Sequence, residues 1–281
     1  MSNPKHIAFI GAGVMAEAII VGLLRDKLAE PANIRAAGPR LKRGRKLQEQ
    51  YGLTPFTDNV KAASKANVVV LSVKPQTLNR VLADLNGQIK KGALIISIVA
   101  GAPISKIAEG LRHEIIVRSM PNTPGQIGEG ITVWTASEAV SDEQRAHAQQ
   151  ILAALGADIY VEEESFLDKA TALSGTGPAY VYLFMEAMVD AGVHLGFPRR
   201  VAEQLVVQTV RGSVDYYSHP DSESHLSRLR NQVTSPGGTS AEALYYLEKA
   251  GFRTAISRAI WAAYERSMEL GQDTEVHRPG G

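Results

Sequence analysis

The segment Ile7-Ala8-Phe9-Ile10-Gly11-Ala12-Gly13-Val14-Met15-Ala16 decides the fold. Four apolar residues in a row end on a glycine, a second glycine follows two places later, and a small residue stands three further on, at the head of an amphipathic run. Glycine spacing of this kind is weak evidence by itself, and its position between a strand and a helix makes it strong. The first glycine permits a tight turn, the second lets backbone approach a pyrophosphate, and Ala16 allows the helix to pack close to the strand. Gly11, Ala12, Gly13, Val14 and Met15 are therefore candidate cofactor residues, with phosphates resting on free N–H groups at the helix N-terminus. A tight turn without a ligand is the blander alternative. A secretory signal is the less favoured reading of the apolar run 7–24, since Glu17 and three glycines lie inside it and no cleavage site follows.

Outward from this turn, short apolar runs at 6–10, 33–37, 68–73, 94–99, 115–119, 131–135 and 158–161 alternate with helical patterns at 16–26, 41–51, 76–85 and 142–155. Most of the runs are continuously apolar, as strands covered on both faces are. The expected architecture is α/β, a Rossmann-type doubly wound, mainly parallel sheet over residues 1–164. After Glu164 the β-branched runs stop, and helices are expected at 178–195, 198–217, 223–231, 240–250 and 252–270, an all-helical region spanning 165–271. Pro178 and Pro198 suit first helical turns and Gly196 and Gly251 suit helix ends. Residues 272–281 have neither periodicity nor apolar anchors and read as a loose tail.

Composition narrows the function. With no cysteine among 281 residues, disulfides, thiolate nucleophiles and thiolate-bound metals drop out, which fits a cytoplasmic location. A formal charge of +1 offers no global field for nucleic acid or an anionic membrane. No run is apolar for the roughly 20 residues of a membrane span. The histidines include no pair at metal-ligand spacing, so no metal site is expected.

The end of the second strand reads Ile34-Arg35-Ala36-Ala37-Gly38-Pro39-Arg40-Leu41-Lys42-Arg43. An NAD enzyme usually carries a carboxylate there for the ribose 2′-hydroxyl, and none is present. Arg40 or Arg43 could meet a 2′-phosphate instead, so NADPH is the preferred cofactor, with NADH also accommodated. The alternative is a solvated basic helix face.

Two further runs look like shaped loops before helices. Asp168-Lys169-Ala170-Thr171-Ala172-Leu173-Ser174-Gly175-Thr176-Gly177-Pro178-Ala179-Tyr180 is too polar and glycine-rich for a helix interior, and the hydroxyls of Ser174 and Thr176 are expected to converge on a ligand. Val233-Thr234-Ser235-Pro236-Gly237-Gly238-Thr239-Ser240 leads into a helix from Ala241 in the same way.

These runs, with the glycine turn, the Val73-Lys74-Pro75 strand end and the Met120-Pro121-Asn122-Thr123-Pro124 loop, occur in this order in pyrroline-5-carboxylate reductases, which the chain resembles from Ile7 to about Leu270. The resemblance implies a Rossmann domain, a helical dimerisation domain, and dimers that assemble in the family into decamers, as a pentamer of dimers. It implies cofactor contacts at Gly11, Gly13, Val14, Met15, Asn59, Ser72, Val73, Lys74, Pro75, Ala100 and Gly101, with Asn122 near the nicotinamide, and substrate contacts at Glu223, Thr239 and Ser240. The chain departs from the family's common residues at Val14 (asparagine), Gly125 (alanine), Thr176 (serine) and Ser240 (threonine). The hydroxyl exchanges preserve chemistry, and Val14 removes a polar contact near the phosphates.

Reduction of an imine needs hydride at carbon, which the cofactor brings, and a proton at nitrogen. The N–H groups of the turn Gly237, Gly238, Thr239 and Ser240 could hold the ring carboxylate, and Ser240 could orient or protonate the nitrogen as the catalytic residue. Ser240 as a plain helix N-cap is the alternative. Glu223 either holds the nitrogen's proton or is a surface carboxylate. Two other readings remain open: a β-hydroxyacid-type dehydrogenase using Lys169, and a dinucleotide-sensing regulator without catalysis. The helix at 178–195 carries large apolar groups on more than one stripe, which one small domain could hardly cover, so a homodimer is expected.

Overall fold

The continuous apolar runs become adjacent strands of one sheet. A computed structural model describes residues 6–219 and 225–271. Its eight strands are β1 (Ile7–Ile10), β2 (Ile34–Ala37), β3 (Thr54–Phe56), β4 (Val68–Leu71), β5 (Leu94–Ser97), β6 (Ile116–Met120), β7 (Gly130–Ala136) and β8 (Gly156–Tyr160). Their order is β3-β2-β1-β4-β5-β6-β7-β8. All neighbours are parallel except β6 and β7, where Val117 faces Ala136 and Met120 faces Val133. β1 lies between β2 and β4, with Ile7 opposite both Ile34 and Val68. β1, β4 and β5 are buried along their whole length, as a sheet covered on both faces requires.

The covering helices are α1 (Val14–Arg25), α2 (Leu41–Tyr51), α3 (Asn59–Ala63), α4 (Pro75–Leu85), α5 (Ile104–Leu111) and α6 (Asp142–Ala153). α1 forms because Ala16, Ile19, Ile20 and Leu23 recur at i, i+3, i+4 and i+7, and all four are buried against the sheet. Ile19, Ile20 and Leu23 each contribute about 1.5–3 kcal/mol on burial. α6 starts where a capping box closes between Ser141 and Gln144. Two core clusters result, one on each face of the sheet. The chain is thus α/β in its first part, with a doubly wound, mainly parallel sheet.

After β8 the chain is helical: α7 (Phe166–Ala170), a π-helical turn (Thr171–Gly175), α8 (Gly177–His194), α9 (Arg199–Tyr217), α10 (Leu226–Gln232), α11 (Thr239–Lys249) and α12 (Phe252–Gly271). The described residues fall into two compact units, Gly177–Trp261 and the remainder, which includes the end of α12. The texture change after Glu164 and the division at Thr176 differ by α7 and the π turn, which belong to the first unit. An ion-pair cluster around one buried arginine gathers there. Arg118, 4% exposed, donates to Glu164 and Asp168 at 2.9 Å each. Ser267 of α12 donates to Asp168 at 2.8 Å, and the Ile104 N–H to Glu164 at 2.7 Å. Every member of the cluster has a partner, as a buried charge demands.

Several expectations need correction. β3, α3, α5 and α7 are absent from the sequence reading, because each is short and β3 contains a proline at the sheet edge. The run 168–180 is helical, not a loop. The hydroxyls of Thr171, Ser174 and Thr176 donate to the carbonyls of Leu167, Ala170 and Thr171 at 2.8, 3.0 and 2.9 Å, which bonds the glycine-rich stretch into a wide turn. The helix expected from Ser240 begins at Thr239, with Gly238 as N-cap. Ser240 is therefore its second residue and does not cap it. The first residues of the helix expected at 223–231, and the tail 272–281, lie outside the described residues.

Candidate active site

At the end of β1 the chain turns at Gly11 with φ +104°, a region that disfavours any side chain. A Cβ there would sit 2.6 Å from the Ser72 carbonyl oxygen, so β4's end and the turn touch backbone to backbone. The N–H groups of Gly11 and Ala12 both donate to the Ala37 carbonyl, at 2.9 and 3.0 Å, tying the turn to the end of β2. The Ser72 hydroxyl lies 2.8 Å from the Gly11 carbonyl oxygen. Gly13 is the N-cap of α1, with no side-chain cap and nothing within 4 Å of a Cβ built on it. The first N–H groups of α1 thus face open space with the positive end of the helix dipole behind them, an arrangement that fits a pyrophosphate.

That space is a cleft of about 490 Å³ beyond the carboxyl ends of β1, β2 and β4. It brings together Gly11, Ala12, Gly13, Val14, Arg40, Asn59, Ser72, Val73 and Lys74 of the residues expected at the cofactor. It also includes Gly38, Pro39, Gly44, Thr77, Arg80 and Val81, which the sequence reading missed. Thr77, Arg80 and Val81 could have been found, since they recur at i, i+3 and i+4 on one face of α4, just after Lys74. Arg40, Lys74 and Arg80 are exposed at the rim, and no anion among the described residues pairs with them.

Five expected cofactor residues lie outside the lining of this cleft. Met15 packs against the core cluster on one face of the sheet. Pro75 opens α4 behind Lys74. Ala100 and Gly101 follow β5, and a Cβ on Gly101 would meet Leu270 at 2.8 Å. Asn122 braces two segments: its Nδ2 donates to the Ser174 carbonyl at 3.2 Å and its Oδ1 accepts from the Ile131 N–H at 3.0 Å.

One carboxylate enters the cleft. Glu17 accepts from Arg43 Nη2 at 2.5 Å and from the Tyr51 hydroxyl at 3.0 Å. Burial pushes its carboxyl up, but the hydrogen bonds from Arg43 and Tyr51 and the charges of Arg43 and Lys46 outweigh that and leave it below the ordinary glutamate value. Tyr51 moves the other way, raised first by burial and then by its bond to Glu17.

The second unit holds the turn before α11. Gly237 has φ +70°, and the Gly238 N–H returns to the Ser235 carbonyl at 3.1 Å. α11 has no side-chain cap, so the first N–H groups of Thr239 and Ser240 are available to a ligand. The half-buried Ser240 hydroxyl has no hydrogen-bond partner among the described residues. Glu223 lies outside the described residues. In the first unit, Ser174 and Thr176 spend their hydroxyl protons on backbone carbonyls, so they shape the π turn. Lys169 places its ammonium 4.1 Å from the Phe166 ring centre, a cation–π contact. No group of metal-ligating side chains occurs among the described residues, and no helix there is long and apolar enough to cross a membrane.

Comparison with known proteins accounts for both regions. A profile described as pyrroline-5-carboxylate reductase dimerisation matches residues 164–270, and one described as NADP oxidoreductase coenzyme F420-dependent matches residues 6–101. The chain is 42% identical over 267 residues to the pyrroline-5-carboxylate reductase of Synechocystis sp., covering 95% of this chain and 98% of that protein. It is 39% identical over 273 residues to the enzyme of that name from Pseudomonas aeruginosa, covering 97% and 98%. A solved structure of Plasmodium falciparum pyrroline carboxylate reductase with NADP bound superposes with a TM-score of 0.87 at 33% identity, over 96% of this chain and 99% of that one. With relatives this similar along their whole length, the chain belongs to the pyrroline-5-carboxylate reductase family.

Proposed function

We propose that this chain reduces the C=N bond of L-1-pyrroline-5-carboxylate to give L-proline, the last step of proline biosynthesis, with NADPH preferred over NADH. The observation that carries this reading is the uncapped glycine turn at Gly11–Met15, rimmed by cations unpaired among the described residues, in a chain whose relatives along its whole length bear that enzyme's name. The dinucleotide, when bound, supplies the hydride.

The chain's own residues position and polarise. The free N–H groups of α1 hold the pyrophosphate, with Lys74 and Arg80 beside it. Arg40, at the N-cap of α2 and without an ion-pair partner among the described residues, takes the 2′-phosphate that separates NADPH from NADH. The N–H groups of the turn at Gly237, Gly238, Thr239 and Ser240 take the substrate carboxylate, which fixes the ring. The Ser240 hydroxyl is left to orient the imine nitrogen or relay its proton, because it neither caps α11 nor bonds to any neighbour among the described residues. Glu223 is the second candidate for the nitrogen's proton. Ala100, Gly101 and Asn122 shape the far end of the cofactor site through backbone and bracing contacts.

Apolar groups left open on α8, Tyr182 and Leu183 among them, support a homodimer, and a decamer of five dimers follows the family resemblance. The near-zero charge supports a small-molecule enzyme rather than a partner of nucleic acid or membrane, and the lack of cysteine fits the cytoplasm.

The test is to mix the purified chain with NADPH and pyrroline-5-carboxylate and follow nicotinamide absorbance while assaying for proline. Imine-dependent oxidation with proline as product is expected. Turnover of β-hydroxyacids without turnover of the imine would establish the dehydrogenase alternative, and dinucleotide binding without any reaction would establish the sensor.

A further inference from the structure

Glu17 is a carboxylate in a cleft built for anions. It stands four residues after the N-cap glycine of α1 and lines the same space as Arg40, Lys74 and Arg80. Left unpaired, it would repel the phosphates that the helix N-terminus attracts. It is held instead in a chain of contacts. The Tyr51 hydroxyl donates to Oε1, Arg43 Nη2 donates to Oε2, and Arg43 Nε donates to the Ala12 carbonyl at 3.1 Å. The two ends of α2 are thereby tied to the glycine turn and to α1. Two arginines at the start of α2 line the cleft, and their situations differ: Arg43 is held in an ion pair with Glu17, and Arg40 is exposed and has no ion-pair partner among the described residues.

We propose that Glu17 is a specificity-determining residue for the dinucleotide, quenching Arg43 so that Arg40 alone of the two arginines meets the 2′-phosphate. The preference for NADPH is thereby held below what two free arginines would produce, and NADH stays usable. This rests on the proposed contact between Arg40 and the 2′-phosphate. A carboxylate near the adenosine ribose can also bind its 2′-hydroxyl directly, as the acid after the second strand does in NAD enzymes. Here both oxygens of Glu17 already accept bonds from the chain, which favours the quenching role.

The experiment measures dissociation constants for NADP⁺ and NAD⁺ by calorimetry on the full chain, with melting temperature as a fold control. Glu17→Gln keeps the size and hydrogen-bonding reach of the side chain and removes its charge. It should tighten NADP⁺ by about threefold to fivefold, the size of a partly exposed charge interaction, and leave NAD⁺ within about 1.5-fold. The gain should fade towards 1 M salt, where screening acts over about 3 Å. Arg43→Ala, which bares Glu17, should weaken NADP⁺ more than NAD⁺. The pair Glu17→Gln with Arg43→Ala should restore the wild-type ratio, because one neutral pair replaces another.

Equal shifts for both dinucleotides would overturn the proposal in favour of simple support of the turn. Weakening of NAD⁺ alone by Glu17→Gln would overturn it in favour of a ribose contact. If Glu17→Gln does not fold, Arg43→Ala decides: equal weakening of both dinucleotides overturns the proposal. Arg40→Ala separates this idea from the reading beneath it. An unchanged NADP⁺/NAD⁺ ratio in that variant means Arg40 does not read the 2′-phosphate. A lowered preference for NADP⁺ there, with Glu17→Gln silent, means that Glu17 alone does not act on the dinucleotide.

Discussion

In the first unit Ile19, Ile20, Leu23, Leu47 and Leu71 are wholly shielded from water, whereas in the second only Val189, Ala202 and Val206 among the described apolar residues are buried. Tyr182, Leu183, Tyr216, Tyr246 and Trp261 of the second unit are each more than half exposed. The sheet and its helices bury their own core on both faces. The helices from α8 to α11 do not, and their uncovered groups are those that a partner chain can cover. The difference teaches where each part's energy and chemistry reside. Substitutions in the core of the first unit should register as stability, and those on the open faces and the glycine turn of the second as association or turnover.

The largest expected effect tests the second half of that statement. Ser240→Ala should lower turnover by about 10² to 10⁴, the range for loss of a general acid or its relay, with little change in melting. Ser240→Thr should retain most activity because the hydroxyl remains. An alanine variant that reduces the imine at the wild-type rate would remove Ser240 from the chemistry.

Next in size is a cavity in the self-contained core. Leu23→Ala deletes three carbons from a side chain with no exposed surface and should cost about 2–5 kcal/mol of stability. That loss should not depend on protein concentration, since the site belongs to one chain. A cost under about 1 kcal/mol would mean that the sheet repacks freely and that the contrast between the units is overstated.

Leu183→Asp should give the smallest free-energy change of the three and the most selective. Leu183 is 67% exposed in the single chain, so a charge there asks little of the fold. In a dimer it would enter a desolvated patch and weaken association by about 2 kcal/mol or more, roughly thirtyfold. Light scattering at micromolar concentration should show the wild type as a dimer or larger and the variant shifted towards monomer. An unshifted variant would place the interface elsewhere.

How much of this could be read beforehand differs by element. β1, β4 and β5 were legible as unbroken apolar runs, and α2 was legible to the residue because its apolar and basic positions keep a helical period and Gly52 ends it in the left-handed region. β3 was not, since Thr54-Pro55-Phe56 has no period of its own and becomes a strand by pairing with β2. The π turn was misread as a loop because hydroxyls and glycines favour loops locally, and here those same hydroxyls bond back to the preceding helical carbonyls. Half of the cofactor cleft was legible from the glycine turn and the end of β2. Arg80 was hidden only by a helix face that went uncounted.

Glu17 shows where sequence stops. In the linear chain it is a charge that breaks an apolar run, and nothing nearby announces Arg43, 26 positions away, or Tyr51, 34 away. By itself the sequence determined the alternation of strand and helix, the glycine turn, the missing carboxylate after β2 and the excess of apolar groups in the second half. All of these follow from short-range period and residue chemistry. Only the tertiary structure decided which arginine is free, that Ser240 lies inside a helix rather than at its cap, and that Asn122 is a brace. The arginine and Asn122 depend on contacts between segments far apart in the chain, which leave no trace in local spacing, and the helix boundary at Ser240 is set within a turn whose glycines and hydroxyls suit either position.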